Sequence, residues 1–414
     1  MKPRSMKVQQ HQVSVDINSV WIYAFRFREE GDIEMGISFL KPLEIYIRRM
    51  LIQPNRIFKG ILIESTEQSI SLSANPRILI IRPDKLGDML ITLPTIKAIR
   101  DAYPHARIDI LAGKVNLPLK DQLLLYADNV LLYDKTLRSI VSLIRKLPSH
   151  KYEIAIDPLD NPSTTSGYLM QLSGATHRIG IFKSNAHVYT HCVVAKDRAK
   201  IHIVERSAQV LLGLGINPEH ISLAIPYYIN EQIRVSSRMA LHNAGVELSK
   251  SLIMINIAGA LQDRVLEPSA AIPWIQKIKN TLSNHDVQLM ICGERKHEKR
   301  LRLIAETTGI LLAPFVNSYQ QFAGLLAGSS MLISPDTSVL HLISAFNIPC
   351  LAFFVQDNSG TKLWTPYQSP NEYILTKGST VNAIPTDEII KAFNSLFSIT
   401  TLHSVEHQLE KNGQ

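Results

Sequence analysis

The stretch Ile78–Pro94, Ile-Leu-Ile-Ile-Arg-Pro-Asp-Lys-Leu-Gly-Asp-Met-Leu-Ile-Thr-Leu-Pro, decides the fold. Ile78 to Ile81 is a short, continuous apolar run rich in β-branched residues, the pattern of a strand buried on both faces. Pro83, Asp84 and Gly87 mark a turn. Leu90 to Arg100 then reads as a helix that contains Pro94. Further strands are expected at Arg107–Leu111, Val130–Tyr133 and Glu153–Asp157. Strands and helices alternating at this spacing predict an α/β, doubly wound parallel sheet.

The same alternation starts again downstream. Glu219 to Gln232 contains Pro226 and little helical pattern, and reads as a linker. Ile253–Ile257 is a strand ending in Ala258-Gly259-Ala260. Ile272–Leu282 is a helix. Val287–Gly293 is a strand and turn, followed by a charged helix from Glu298. Met331–Ser334 is a strand, Ser338–Phe346 a helix and Pro349–Phe354 another strand. Two Rossmann-like halves with a cleft between them account for this order. The expected boundaries are a leader at 1–76, a first domain at 77–225, a second at 226–395 and a tail at 396–414. In the leader, Val20–Phe27 reads as a strand. Residues 43–52 read as a basic helix, lying on a membrane surface or packed on the main body.

The chain has 414 residues, enough for two domains and an additional segment. With 45% hydrophobic and 19% charged residues it is neither disordered nor collagen-like. No apolar run approaches the roughly 18–20 residues of a membrane span. The start leads into polar residues, so no Sec export is expected. Cys192, Cys292 and Cys350 are too few and too far apart for a disulfide framework or a four-thiolate zinc site. That suits a reducing cytoplasm. The net charge is +8, and residues 77–225 carry 19 basic against 13 acidic side chains while 226–414 carry 15 of each. The excess in the first half points to an anionic partner. No nucleic-acid recognition motif accompanies it, so nucleic acid is not the expected one.

Four segments in order resemble glycosyltransferase family 9, the ADP-heptose:lipopolysaccharide heptosyltransferase family. Ile78–Pro94 is similar to its opening strand, loop and helix with a Gly-Asp pair. His202–Ile216 resembles its His-x-Val-Glu-Arg helix. Ile255–Pro268 resembles its donor-binding loop, and Ser334–Pro349 its Asp-Thr-Gly-x-x-His-Leu signature. The resemblance extends over about residues 77–395. It implies a GT-B fold, with an acceptor domain followed by a nucleotide-sugar domain. It also implies inverting, metal-independent transfer of heptose from ADP-heptose to the lipopolysaccharide inner core. The place implied is cytoplasmic, peripheral to the inner membrane, with the donor as substrate and no cofactor.

Transfer with inversion needs a base for the acceptor hydroxyl. By the resemblance this is Asp88, which can also cap the helix that follows it. Asp84 is the weaker alternative. Lys85 is a candidate contact for an anionic acceptor, or a solvated side chain. The departing diphosphate needs N–H groups, hydroxyls and a cation. Asp336, Thr337, Ser338 and His341 match the family signature, although the family usually carries Gly at the Ser338 position. Arg264 is the basic residue of the third segment, which lacks the family's Lys and aromatic-Pro. It binds phosphate, or pairs on the surface with Asp263 or Glu267. Gly259 and Ala260 bring backbone close to the nucleotide, and Glu294 is a candidate for ribose. His202, Glu205 and Arg206 are expected to stabilise the domain junction. These departures keep two alternatives open: another nucleotide sugar or surface-glycan acceptor, and a catalytically inactive binding homologue.

Overall fold

The computed structural model describes residues 57–259, 261–356 and 364–413, without the side chain of Leu137. All of them belong to one compact unit, Leu51–Gln414. The strand expected at Val20–Phe27 and the helix expected at 43–52 lie outside the described residues, as does Ala260.

Two wholly parallel sheets carry the fold. The first has seven strands: β1 (Ile61–Ile63), β2 (Arg77–Arg82), β3 (Arg107–Gly113), β4 (Asn129–Tyr133), β5 (Ile154–Asp157), β6 (His177–Ile181) and β7 (His191–Val193). Their spatial order is β1-β7-β6-β5-β2-β3-β4. The second has six: β8 (Ser251–Asn256), β9 (Val287–Cys292), β10 (Leu311–Leu312), β11 (Met331–Pro335), β12 (Cys350–Val355) and β13 (Asn371–Thr376), in the order β10-β9-β8-β11-β12-β13. In each sheet the chain winds outward both ways from one strand, β2 or β8. The crevice at the carboxyl ends of β2 and β5, and of β8 and β11, is where such sheets bind ligands.

The β-branched run is buried as its composition demands. Ile78, Leu79, Ile80 and Ile81 are all at most 1% exposed, shielded on both faces. One face packs under Met89, Leu90, Leu93 and Ile96. The other packs against Leu143, Leu147 and Leu169. The first of these cores continues without a break into the second sheet, through Leu252, Leu332 and Leu340.

Where one helix was expected at Leu90–Arg100, there are two, Leu86–Leu90 and Leu93–Ala102. Pro94 sits in the first turn of the second. Its ring and missing N–H are tolerated there, whereas they would break a helix interior. Strand β1 precedes Arg77, within the stretch read as the leader, and pairs in parallel with β7 at the sheet edge. Downstream of the second sheet, the helix Val405–Lys411 buries Val405 and Leu409.

Candidate active site

The loop leaving β2 is organised by a buried guanidinium. Arg82 is 2% exposed and lies between two carboxylates, 3.4 Å from Asp84 and 3.5 Å from Asp88. Its Nε donates to the Asp88 carbonyl at 3.1 Å. Asn116, on the segment after β3, donates to the carbonyls of Arg82 and Asp84. The Lys85 N–H donates to Asp88 Oδ2 at 3.1 Å. Asp88 therefore does cap its turn, and each oxygen is directed by a named donor. Burial pushes the Asp84 carboxyl up, opposed by Arg82.

Beside this loop, at the end of β5, Asp157 is fully buried. Burial alone would raise its carboxyl, but Lys183 at 3.1 Å and the hydroxyls of Ser166 and Tyr189 outweigh it and hold it below the usual range. Asp157 and Lys183 both act on Asp84.

The second domain contributes the facing loops. Asn256, at the end of β8, donates to the Ala258 carbonyl at 2.9 Å and to Ser334 Oγ at 3.0 Å. It accepts from the Ala258 N–H. This ties the loop after β8 to β11. Gly259 then folds against Arg264 so closely that a Cβ would lie 2.7 Å from the Arg264 carbonyl carbon. Only glycine fits there. Arg264 pairs with Asp336 and not with Asp263 or Glu267, and Glu267 is instead bound to Arg300 at 2.8 Å. The Arg264 Nε is buried with no hydrogen-bond partner among the described residues. Burial raises the Asp336 carboxyl, opposed first by Arg264 and then by Lys85. Lys85 thus exerts its charge across the junction on the second domain.

After β11 comes Asp336-Thr337-Ser338 and the helix Val339–Ala345. Ser338 has φ −56°, an ordinary helical value, so its backbone does not require glycine. Among the described residues no backbone carbonyl accepts from the N–H of Thr337 or Ser338. His341 is 3% exposed and its Nδ1 has no partner among them. Burial, helped by the neighbouring His202, lowers it to about 3, so at neutral pH it is an uncharged donor or acceptor.

The two halves touch at this point. A Cβ on Gly87 would lie 3.1 Å from His341 Cδ2 and 3.5 Å from Ser338 Cα. The glycine serves close approach and not a left-handed backbone, since its φ is not positive. His202 bonds the Thr365 carbonyl at 2.9 Å and lies against Tyr367 with the rings tilted by 31°, and the Tyr367 hydroxyl donates to Glu205. Arg206 bonds Asp160.

Of the residues singled out in the sequence, Asp88, Lys85, Arg264, Asp336, Ser338 and His341 come together at one junction. Gly259 supports it, and Thr337 lies in the same turn. Glu294 follows β9, next to β8, and pairs with Lys296 at 2.7 Å on the surface. Arg82, Asn116, Asn256, Asp157 and Lys183 were not singled out. The signal for Arg82 was a charged residue at the end of a buried strand. Among the described residues, no three His, Cys, Asp or Glu side chains are placed to hold a metal ion.

Two doubly wound parallel sheets whose strand-end loops meet where Gly87 packs on Ser338 and His341 have the architecture of the GT-B fold. The profile of "Glycosyltransferase family 9 (heptosyltransferase)" matches residues 140–380, and the chain belongs to that family. The match contains three of the four resembling segments and begins after Ile78–Pro94. Lipopolysaccharide heptosyltransferase 3 of Escherichia coli K12 is 23% identical over 344 residues, covering 75% of this chain and 95% of that protein. A glycosyltransferase family 9 protein from Veillonella parvula superposes with a TM-score of 0.67 at 18% identity, over 80% of this chain and 99% of that one. The E. coli heptosyltransferase WaaC, solved with ADP-2-deoxy-2-fluoro heptose, gives 0.59 at 17% identity, over 77% and 99%.

Proposed function

We propose that this glycosyltransferase moves a heptose from ADP-heptose to the inner core of lipopolysaccharide, inverting the anomeric centre. Asp88 takes the proton of the acceptor hydroxyl as that oxygen attacks C1 of the sugar. The bond from C1 to the diphosphate oxygen breaks on the opposite side, and ADP leaves with the electron pair. Arg82 and the Lys85 N–H aim the Asp88 carboxylate. Arg264, the Thr337 hydroxyl and the N–H groups of Thr337 and Ser338 receive the departing charge, with Gly259 letting the loop after β8 close on Arg264. Asp336 and neutral His341 hold sugar hydroxyls, and Glu294 is assigned the ribose. Lys85 is assigned to the anionic acceptor.

The observation that carries this reading is the packing of Gly87 on His341 and Ser338, which sets the Asp88 turn against the Asp336–His341 turn. The ADP-heptose analogue bound by E. coli WaaC and the lipopolysaccharide in the name of E. coli heptosyltransferase 3 support the choice of substrates, and a lipid-borne acceptor with a nucleotide-sugar donor supports work at the cytoplasmic face of the inner membrane. No helix among the described residues is long and apolar enough to cross a membrane.

The test is a donor screen. Purified full chain is incubated with heptose-free core acceptor and a panel of nucleotide sugars, and product is read by mass spectrometry. ADP-heptose is expected to give a mass increase of one heptose. Product from a UDP- or GDP-sugar instead would reassign the donor, and product from none would favour an inactive homologue.

A further inference from the structure

The charge excess of the first domain is concentrated in one place. Residues 135–152 contain five Lys or Arg (Lys135, Arg138, Arg145, Lys146, Lys151) and no Asp or Glu. The flanking acids are engaged away from the basic side chains: Asp134 accepts from Thr136 at the helix start, and Glu153 accepts from Ser73. Three of the five, Arg138, Arg145 and Lys146, lie on the helix Leu137–Ser149, which connects β4 to β5.

Its inner face is conventional, with Leu143 and Leu147 buried against Leu79, Ile81 and Leu111, and Ile140 beside them. Its outer face is not. At 3.6 residues per turn, Arg138 and Arg145 occupy the middle of that face. Lys146 lies on one flank, and Val141 and Ile144 on the other. Val141 is 45% exposed and Ile144 43%. Leu132, on the edge strand β4 beside the helix, is exposed as well. A helix whose outer face meets only water carries polar residues there. Apolar side chains interleaved with long basic ones, without an acid among them, match a different neighbour. That neighbour has a negative surface over an apolar interior, the make-up of an anionic lipid bilayer.

The position is also informative. The strands are parallel, so a connecting helix runs back against them. Its start lies at the sheet end that carries Asp84, Asp88 and Asp157. A bilayer against this helix meets the protein on a face of the first sheet, with the helix start at the end that carries these carboxylates.

We propose that the outer face of the helix Leu137–Ser149 is the surface by which the first domain docks on anionic phospholipid, Arg138, Arg145 and Lys146 meeting headgroup phosphates while Val141 and Ile144 enter the apolar boundary. This rests on the reading of the acceptor as a membrane glycolipid for its purpose, but not for its test, which uses neither donor nor acceptor.

The full chain is sedimented with vesicles of phosphatidylcholine alone or with phosphatidylglycerol added, at low and high salt. Preferential binding to the anionic vesicles is expected, weakening as salt screens the charges. The double variant Arg145→Gln with Lys146→Gln is expected to lose about 30-fold in partition coefficient, about fivefold for each basic group removed. The variant Val141→Ser with Ile144→Ser is expected to bind several-fold more weakly at both salt concentrations. All four side chains are exposed, so melting temperatures are expected to match the wild type, which separates lost docking from lost folding. Wild-type partition in both variants overturns the proposal and puts the lipid contact elsewhere in the chain. A wild-type chain that binds neither vesicle overturns it too, and leaves an acidic protein surface as the partner of these charges.

Discussion

Gly87 lies against His341 so closely that a single added carbon would sit 3.1 Å from the imidazole Cδ2. One residue begins the turn that carries Asp88, the other belongs to the helix that follows Asp336. The gap between proposed base and proposed donor site is therefore set by the absence of one side chain.

Gly87→Ala tests this spacing. Alanine's helical preference over glycine, at most about 1 kcal/mol, offsets part of the cost of crowding His341, so the melting temperature should stay close to wild type. The two turns must nevertheless separate by a few tenths of an ångström. A fall of about tenfold in kcat/KM is expected, since transfer depends on alignment. Unchanged kinetics would show that the contact does not set the reacting distance.

Asp88→Asn keeps an acceptor for the Lys85 N–H, because the amide oxygen can take the place of Oδ2. Fold and donor affinity should survive. Turnover should fall by roughly 10²–10⁴ through loss of the base. If Asp88 is only a cap, turnover will stay near wild type, and Asp84→Asn becomes the informative variant.

Arg264→Ala removes the guanidinium that pairs with Asp336. A charged hydrogen bond to the diphosphate is worth about 1.5–3 kcal/mol, so the Kd for ADP should rise about 10- to 100-fold by calorimetry. Gly259→Ala should produce a similar loss without touching the charge, because its Cβ overlaps the Arg264 backbone. Normal ADP affinity in both variants would remove Arg264 from the donor site.

His341 supplies a pH signature. Its pKa is lowered from the ordinary 6.5 to about 3 by burial and by His202. A depressed value means the native state favours the neutral ring. The stabilisation is present above pH 6.5 and is lost as pH falls toward 3, at about 1.4 kcal/mol per pH unit. Melting temperatures of wild type and His341→Gln should therefore converge as pH is lowered from 7 to 4. A constant difference would mean that the ring titrates normally.

Much of the fold was legible locally. The continuous Ile78–Ile81 run predicts a strand buried on both faces, and β2 is that strand, because a parallel sheet covered by helices leaves no face for polar residues. The motif residues of the candidate site were singled out through their resemblance to a family. The edge strand β1 was not, since three residues, two of them exposed, carry too little pattern. The break before Pro94 was misread as continuous helix because the apolar spacing runs on through Leu90, Ile91 and Leu93, and periodicity does not report where a helix restarts.

Which groups act on one another was beyond local pattern. Arg264 had Asp263 and Glu267 as neighbours in sequence, yet the turn after β11 brings Asp336 to it from 72 positions away. Arg82 became the organiser of two carboxylates only because the strand end is dry, where a guanidinium must have its charges nearby. The sequence by itself determined the two parallel sheets, the family and the identity of the polar residues at their carboxyl ends, all properties of short-range periodicity and motif. Tertiary structure alone decided the ionic partners, the neutrality of His341 and the exposure of Val141 and Ile144 beside the basic side chains of the helix Leu137–Ser149. Charge interactions depend on distance and burial, and neither is written along the chain.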